Sequence, residues 1–312
     1  KFEMKTFLYK ADEYAKIVAC FETDGDACKF EIKLDNHYAY YNFIKRKIQK
    51  FENEKFYDII TPFDYGGIYY SSIDILPLFF EKFSLWCKEN YIVSEFLRFD
   101  PCATFDFNIF SYYIDVKKIN DLIYVDLSIE FWNFYSKGRK SDIAKTKKLS
   151  YKVFESSIDF FYDIYIETME RNGSHDYFYF NKQALSLLVK NDFARVFSIS
   201  IDNQVLSSIM ILDDECHSYY FLGSSKSDTI SLDANALLIH EVALFLKNEN
   251  RKMFFLGGGR DGVYNFKQRF SKKTLPYYIG KKIHNQSVYD DLVKLANKSE
   301  NNFFPQYREK II

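Results

Sequence analysis

The most restrictive stretch of this chain lies between Phe193 and Gly258. Three strand-like runs, "FARVFSISID", "QVLSSIMILDD" and "CHSYYFLGS", are separated only by Asp202-Asn203 and by Asp213-Asp214-Glu215. Runs this closely spaced read as an antiparallel meander. The segment "LDANALLIHEVALFLKNEN" then has the apolar spacing of a long helix and a polar end, and "KMFFLGG" is one more strand. Strands, one helix and a further strand predict a mixed α/β (α+β) layer built on a mostly antiparallel sheet.

The first half carries an echo of the second. Asp74 lies 14 residues before Lys88 and is followed by "CKENYIVSEFLRF"; Asp233 lies 14 residues before Lys247 and is followed by "LKNENRKMFFLGG". Helix, polar turn and aromatic strand therefore recur at the same offsets, as in two copies of one α/β unit. The expected division is 1–135 and 136–312. Nearer the start, "KIVACFETDGDACKFEIKL" reads as a hairpin over Lys16–Leu34, turning at Asp24-Gly25-Asp26.

Composition narrows the partners. The 42 Lys and Arg nearly balance the 43 Asp and Glu, so no global field draws the protein to nucleic acid or anionic lipid, and any basic site is local. Five scattered cysteines without a C-x-x-C pair give no zinc or redox motif, and no metal is predicted. The opening "KFEMKTFLYKADEY" has no apolar h-region, and the run "ILPLFF" is too short to span a bilayer. These readings predict a cytoplasmic protein with no membrane insertion.

The glycines Gly257-Gly258-Gly259 and Gly262 match G-x-G-x-x-G, the pattern of a dinucleotide-binding turn. That turn needs a full βαβ unit and an acidic residue about 20 positions on. Here the chain continues instead into the aromatic and basic "VYNFKQRFSKKTLPYY", and too few residues remain for such a domain. No Gly-Lys-Ser/Thr is present either. The glycines either let the chain leave a strand at positive φ or leave room for a substrate backbone or phosphate.

Six motifs come in one order: "DIITPFDYGGIYY" (Asp58–Tyr70), "SEFLRFDP" (Ser94–Pro101), "VDLS" (Val125–Ser128), "GRKSDIAKTKK" (Gly138–Lys148), "TMERN" (Thr168–Asn172) and "GGGRDGVYNFKQRF". In this order the chain resembles the Fem-like acyltransferases, the two-domain branch of the GNAT superfamily that builds peptidoglycan cross-bridges. The resemblance runs from about Asp58 to Phe270 and implies two tandem GNAT-like domains, each a mixed, mostly antiparallel sheet flanked by helices. It also implies an acceptor side in the first domain and a donor side in the second. The long helical arm that some members insert in the second domain has no counterpart here.

The resemblance implies transfer of an acyl or aminoacyl group to a primary amine of a cell-envelope precursor, such as an amino sugar or a muropeptide. That chemistry needs a deprotonated amine, a positioned carbonyl and positive or N–H groups at the developing oxyanion. Lys267 matches the lysine of the family's F-K-x-x-F pattern, and Asp100 the Asp-Pro that closes the corresponding strand. Asp100 is equally a turn-forming Asp before proline. Arg98 has the planar fork to meet an acceptor carboxylate or phosphate. Tyr65, Gly66 and Gly67 read as an acceptor-side loop, and Tyr264 lies beside Lys267.

On the donor side stand Arg139, Gly223, Ser224, Gly258 and Gly259. Arg139 belongs to "KGRKSDIAKTKKLSYK", a seven-cation run that reads as a solvated helix face or as a phosphate site. The donor is an acyl-coenzyme A or an aminoacyl-tRNA. The Gln/Arg-x-x-Gly-x-Gly/Ala loop that holds coenzyme A pyrophosphate in ordinary GNAT enzymes is missing from "GSSKSDTISLDANALL" (Gly223–Leu238). The near-neutral charge stands against tRNA. Two readings from other classes remain: a silent GNAT-like module that binds a glycan precursor or a partner protein, and an RNA-binding module built on residues 137–152. His217 in a strand run and His240 in the helix read as structural.

Overall fold

The structure, a computed structural model, describes residues 8–22, 24–49, 55–226, 233–296 and 303–308. The chain forms two compact units. One holds Tyr9–Asn120 and the chain from Pro276 onward; the other holds Asp121–Leu275.

The first unit begins with helix α1 (Asp12–Val18), which buries Tyr14, Ala15, Ile17 and Val18. Strand β1 is Gly25–Leu34 and β2 is His37–Lys47. The hairpin expected over Lys16–Leu34 is therefore displaced. Lys16, Ile17 and Val18 take the helical spacing set by Tyr14, and β1 turns instead at Asp35-Asn36, with Leu34 opposite His37 and Asp35 at φ 52°. Strands β3 (Tyr57–Ile60) and β4 (Ile68–Tyr70) both pair with β2. Helix α2 (Leu76–Glu89) has a proline in its first turn, where a missing N–H costs nothing. It buries Leu76, Phe79, Phe80, Phe83 and Cys87, and Phe83 meets Tyr41 and Phe43 of β2 with ring centroids 5.7 and 5.8 Å away. Strand β5 (Ile92–Arg98) then lies parallel to β3, and the short α3 (Phe107–Phe110) follows.

Strand β6 (Asp115–Asp126) carries the chain into the second unit. There follow α4 (Lys137–Thr146), β7 (Tyr151–Glu155), α5 (Ile158–Arg171) and α6 (Lys182–Lys190). The predicted meander is present as β8 (Ala194–Ile201), β9 (Gln204–Asp213) and β10 (His217–Ser225). Asp202 and Asn203 both have positive φ, as the two-residue hairpin turn whose twist suits its strands requires. The predicted long helix is α7 (Ala234–Asn248), and the strand after it is β11 (Met253–Gly257). Within this unit the pairing runs β6, β11, β10, β9, β8, β7, and only β10 with β11 is parallel. Leu237, Leu238, Val242 and Leu246 of α7 pack with Phe197, Ile199, Ile209 and Ile211 into one apolar core.

The glycines at the end of β11 open helix α8 (Asp261–Gln268), a helix that the aromatic and basic character of this stretch does not announce. Strand β12 (Thr274–Ile283) then pairs with β5, Ile279 opposite Arg98, and antiparallel. A dinucleotide-binding βαβ would bring that strand back parallel to β11. Helix α9 (Gln286–Ala296) adds Tyr289 and Leu292 to a small core with Val93 and Tyr307.

The compact units thus divide differently from 1–135 and 136–312. Residues 121–126 supply the strand that pairs with β11, and residues 279–283 the strand that pairs with β5. Each unit is completed by chain that a cut at 135 assigns to the other.

Candidate active site

The second unit contains a break in its sheet. The parallel ladder between β10 and β11 covers His217–Tyr219 against Met253–Phe255. Beyond it β10 bulges between Tyr220 and Leu222 and continues along β9, while Gly257 pairs with Ile123 of β6. Backbone groups where a ladder stops need another partner, so such a break suits an extended ligand with amides of its own. Gly257 (φ 75°) and Gly259 (φ 144°) turn the chain out of the strand, and a Cβ at Gly259 would meet Val263 at 2.7 Å. The positive-φ reason for the glycines is therefore met at these two positions.

Lys267 spans this break. Its Nζ donates to the carbonyl of Gly258 at 2.6 Å and lies 5.3 Å from the ring centre of Tyr220, the last paired residue of β10 before its bulge. An ammonium has three N–H donors, so a carbonyl and a developing oxyanion can share it. Tyr220 folds back over Gly223, where a Cβ would overlap its hydroxyl. Burial pushes the Tyr220 phenol up to about 12, against a hydrogen bond from Asn235. Tyr264 is half-buried on the core side of α8. Ser224 is buried with its hydroxyl turned into the sheet, donating to the carbonyl of Ser208 at 3.1 Å. Its neighbour Ser225 gives its backbone N–H to Thr168 of α5 at 3.1 Å, so the "TMERN" motif holds the end of β10.

The seven-cation run forms α4 and the start of β7. Lys137, Lys145, Lys147, Lys148 and Lys152 are exposed, as a solvated face should be. Lys140 is half-buried, and Arg139 is fully buried. Its guanidinium lies 4.3 Å from the ring centre of Phe266 and 4.4 Å from that of Phe270, and Nη2 donates to the Phe266 carbonyl at 3.1 Å. Burial, with Arg269 beside it, lowers its pKa to about 10.

In the first unit the structure brings the predicted acceptor-side residues together. Gly66 donates to the Arg98 carbonyl at 2.8 Å, and Asp100 donates to the Gly66 carbonyl at 2.7 Å. The "TPFDYGG" loop is thus stitched to the end of β5. Gly67 sits at φ 148°, and a Cβ there would come within 2.5 Å of Phe105, so only glycine fits. Tyr65 is buried edge-on to Tyr9 and Tyr277, and burial first, then Asp64, holds its phenol well above the usual range. Asp100 accepts the Cys102 N–H at 2.9 Å through Oδ1, and its Oδ2 lies 3.5 Å from the Tyr69 hydroxyl. It forms the turn that its place before proline suggests, with its second oxygen turned to Tyr69. Arg98 is half-buried, its guanidinium 5.7 Å from the ring centre of Phe96.

Sequence reasoning named neither Tyr220, which faces Lys267, nor Tyr69, which faces Asp100. Tyr220 has a signal in hindsight: an aromatic three residues before a glycine at a strand end, where the absent side chain makes room for the ring. His240 is buried in the core, 3.3 Å from the Tyr135 hydroxyl, and burial drops its pKa to about 4. Among the described residues no group of three or more His, Cys, Asp or Glu is placed to hold a metal ion, and no helix is long and apolar enough to cross a membrane. Ser227 to Leu232, in the segment corresponding to the coenzyme A loop, lie outside the described residues.

Residues 137–268 match the family model of an acetyltransferase (GNAT) domain. Comparison with curated proteins by sequence finds no match. Among solved structures, FemX is similar with a TM-score of 0.70 and 13% identity over 92% of this chain and 94% of its own. L-PGS from Bacillus licheniformis is similar with a TM-score of 0.60 and 11% identity, covering 90% of this chain and 94% of that one. The C-terminal domain of a putative lysylphosphatidylglycerol synthetase from Agrobacterium fabrum gives 0.59 and 11%, covering 91% and 97%. Residues 137–268 thus carry a GNAT domain. Over the whole chain the fold is similar to that of FemX.

Proposed function

We propose that this protein is an N-acyltransferase that moves an acetyl or aminoacyl group from a coenzyme A thioester or an aminoacyl-tRNA to a primary amine of a cell-envelope precursor, an amino sugar or a muropeptide. The observation that carries the reading is Lys267, whose ammonium bridges Gly258 and Tyr220 across the broken β10–β11 ladder. In this reading the donor's acyl carbonyl enters the break beside Lys267. The acceptor nitrogen adds to the carbonyl carbon, the oxyanion is held by Nζ, and collapse expels the thiolate or the tRNA hydroxyl. No covalent enzyme intermediate is needed. Asp100 is proposed as the acceptor-side base that takes the proton the amine loses, with Arg98, Tyr65, Gly66 and Gly67 shaping the acceptor's seat. Gly223, Gly258 and Gly259 are proposed to line the donor's path, with Tyr264 beside it. The neighbours FemX and the lysylphosphatidylglycerol synthetase support a group-transfer reading through their fold.

The test is parallel binding of acetyl-coenzyme A, by thermal shift, and of charged tRNA, by filter retention, on wild type and Lys267→Ala. Binding of one donor that drops at least 10-fold in the variant supports the reading and names the donor. If wild type binds neither, the silent module takes its place; retention of uncharged tRNA without transfer makes it an RNA-binding module instead.

A further inference from the structure

Helix α8 carries Lys267 yet has no buried residue of its own. An eight-residue helix is too short to hold itself in water, so its order must come from tertiary contacts. Those contacts gather at its C-terminal end. Phe270, just beyond it, is fully buried; Arg269 binds Asp142 of α4 at 2.5 Å and accepts the Ser136 N–H at 2.9 Å. Between them sits Arg139. Its guanidinium is flanked by Phe266 and Phe270, one turn apart, and is bonded to the Phe266 carbonyl.

This cation is costly. Nε and Nη1 of Arg139 have no hydrogen-bond partner, and Nη1 is 3.6 Å from an Asp142 carboxylate already engaged by Arg269. Two arginines thus share one acid, and of the two only the Arg139 guanidinium is cut off from water. Replacing such a poorly compensated buried charge with an apolar side chain of similar size is often neutral or stabilising. Stability alone does not account for the arginine.

We infer that Arg139 is a positioning residue: a buried cation, clasped by Phe266 and Phe270, that fixes α8 and thereby holds the Lys267 ammonium against Gly258. Lysine is a poor substitute because its compact ammonium cannot stack on two rings while donating in plane. The catalytic meaning of the inference rests on the acyltransferase reading; the positioning itself does not.

Amide hydrogen exchange on the full chain tests it without donor or turnover. In Arg139→Met the melting temperature holds or rises, while protection of the Tyr264–Gln268 amides falls about 100-fold and that of α7 stays unchanged. Phe266→Leu, which opens one side of the clasp, produces a loss of about 10-fold confined to the same amides. Unchanged α8 protection in either variant overturns the inference. So does a loss spread evenly over the chain, which would make Arg139 a general support of the fold. A wild type that binds neither donor sinks the acyltransferase reading and leaves these exchange results to decide the positioning alone.

Discussion

Each unit contains a parallel strand pair bridged by a helix: β3 and β5 with α2 in the first, β10 and β11 with α7 in the second. The two pairs end differently. After Ile60 the first unit lays its own chain along the vacant edge: Thr61 donates to the Phe96 carbonyl, Gly66 bridges Phe99, and Asp100 closes back on Gly66. After Tyr219 the β10–β11 ladder stops, no such loop is found among the described residues, and Lys267 lies across the end of the break. The same element pattern therefore yields a self-filled edge in one unit and an interrupted ladder in the other. Backbone pairing is obligatory, so a filled edge has no groups left to pair, and the groups at an interrupted one must find partners elsewhere.

The comparison breaks most severely if the units are cut apart at the expected boundary. A chain of residues 136–312 lacks Ile123–Asp126, the strand beside β11, and a chain of residues 1–135 lacks Ile279–Ile283, the strand beside β5. Each would expose a long central edge prone to aggregation. Neither half is expected to show a cooperative urea transition by near-ultraviolet circular dichroism, whereas the whole chain does. A cooperative transition in either half would mean that the exchanged strand is dispensable.

Two glycines sharpen the contrast at smaller cost. Gly67→Ala strains φ at 148° and drives a Cβ into Phe105, so it should destabilise the first unit by about 2–5 kcal/mol. Gly223→Ala meets only the tip of a side chain, the Tyr220 hydroxyl. The ring can swing away, so the expected loss is about 1 kcal/mol, within the range of overpacking. The damage falls on the Tyr220–Lys267 contact, and donor affinity should drop further than stability. Chemical denaturation and donor titration on both variants check the pair; equal stability losses would show that both glycines serve packing alone.

Much of this was legible in the sequence. The meander, α7 and the echo of α2 with β5 came from apolar spacing, which is set locally by side chains facing one core. What escaped depends on partners remote in sequence. The hairpin over Lys16–Leu34 was misplaced because Ile17 and Val18 fit a strand as well as a helix, and only Tyr14 and the core decide. Helix α8 was missed because "DGVYNFKQ" has weak propensity and is held by Arg139 and Phe270. The division at 135 failed to foresee that β12 returns to β5, since no local signal records which strand a strand will join. At the site, the motif order assembled Tyr65, Gly66, Arg98 and Asp100 in one unit, but Arg139 sits under α8 rather than on the basic face its neighbours form.

The smallest effect separates the units by acid. His240 belongs to the second unit, and burial lowers its pKa from 6.5 to about 4. Between those values the unfolded chain binds a proton that the native chain refuses, so stability falls as pH falls, by up to about 3 kcal/mol near pH 4. In the first unit Asp58 is buried, which alone would raise its pKa, but Arg46 and Arg308 outweigh that and hold it below its ordinary 3.8. Its contribution is complete above 3.8 and is lost only as pH drops through that lower value. The chain has two tryptophans, Trp86 on α2 and Trp132 with its ring 4.9 Å from that of His240. Trp86→Phe and Trp132→Phe therefore leave one reporter in each unit. Urea midpoints read from Trp132 should fall between pH 6.5 and 4, and those read from Trp86 should fall mainly below pH 3.8. His240→Gln should flatten the Trp132 profile between pH 6.5 and 4. If both reporters move together at every pH, the units unfold as one, and their difference lies in ligand chemistry rather than in stability.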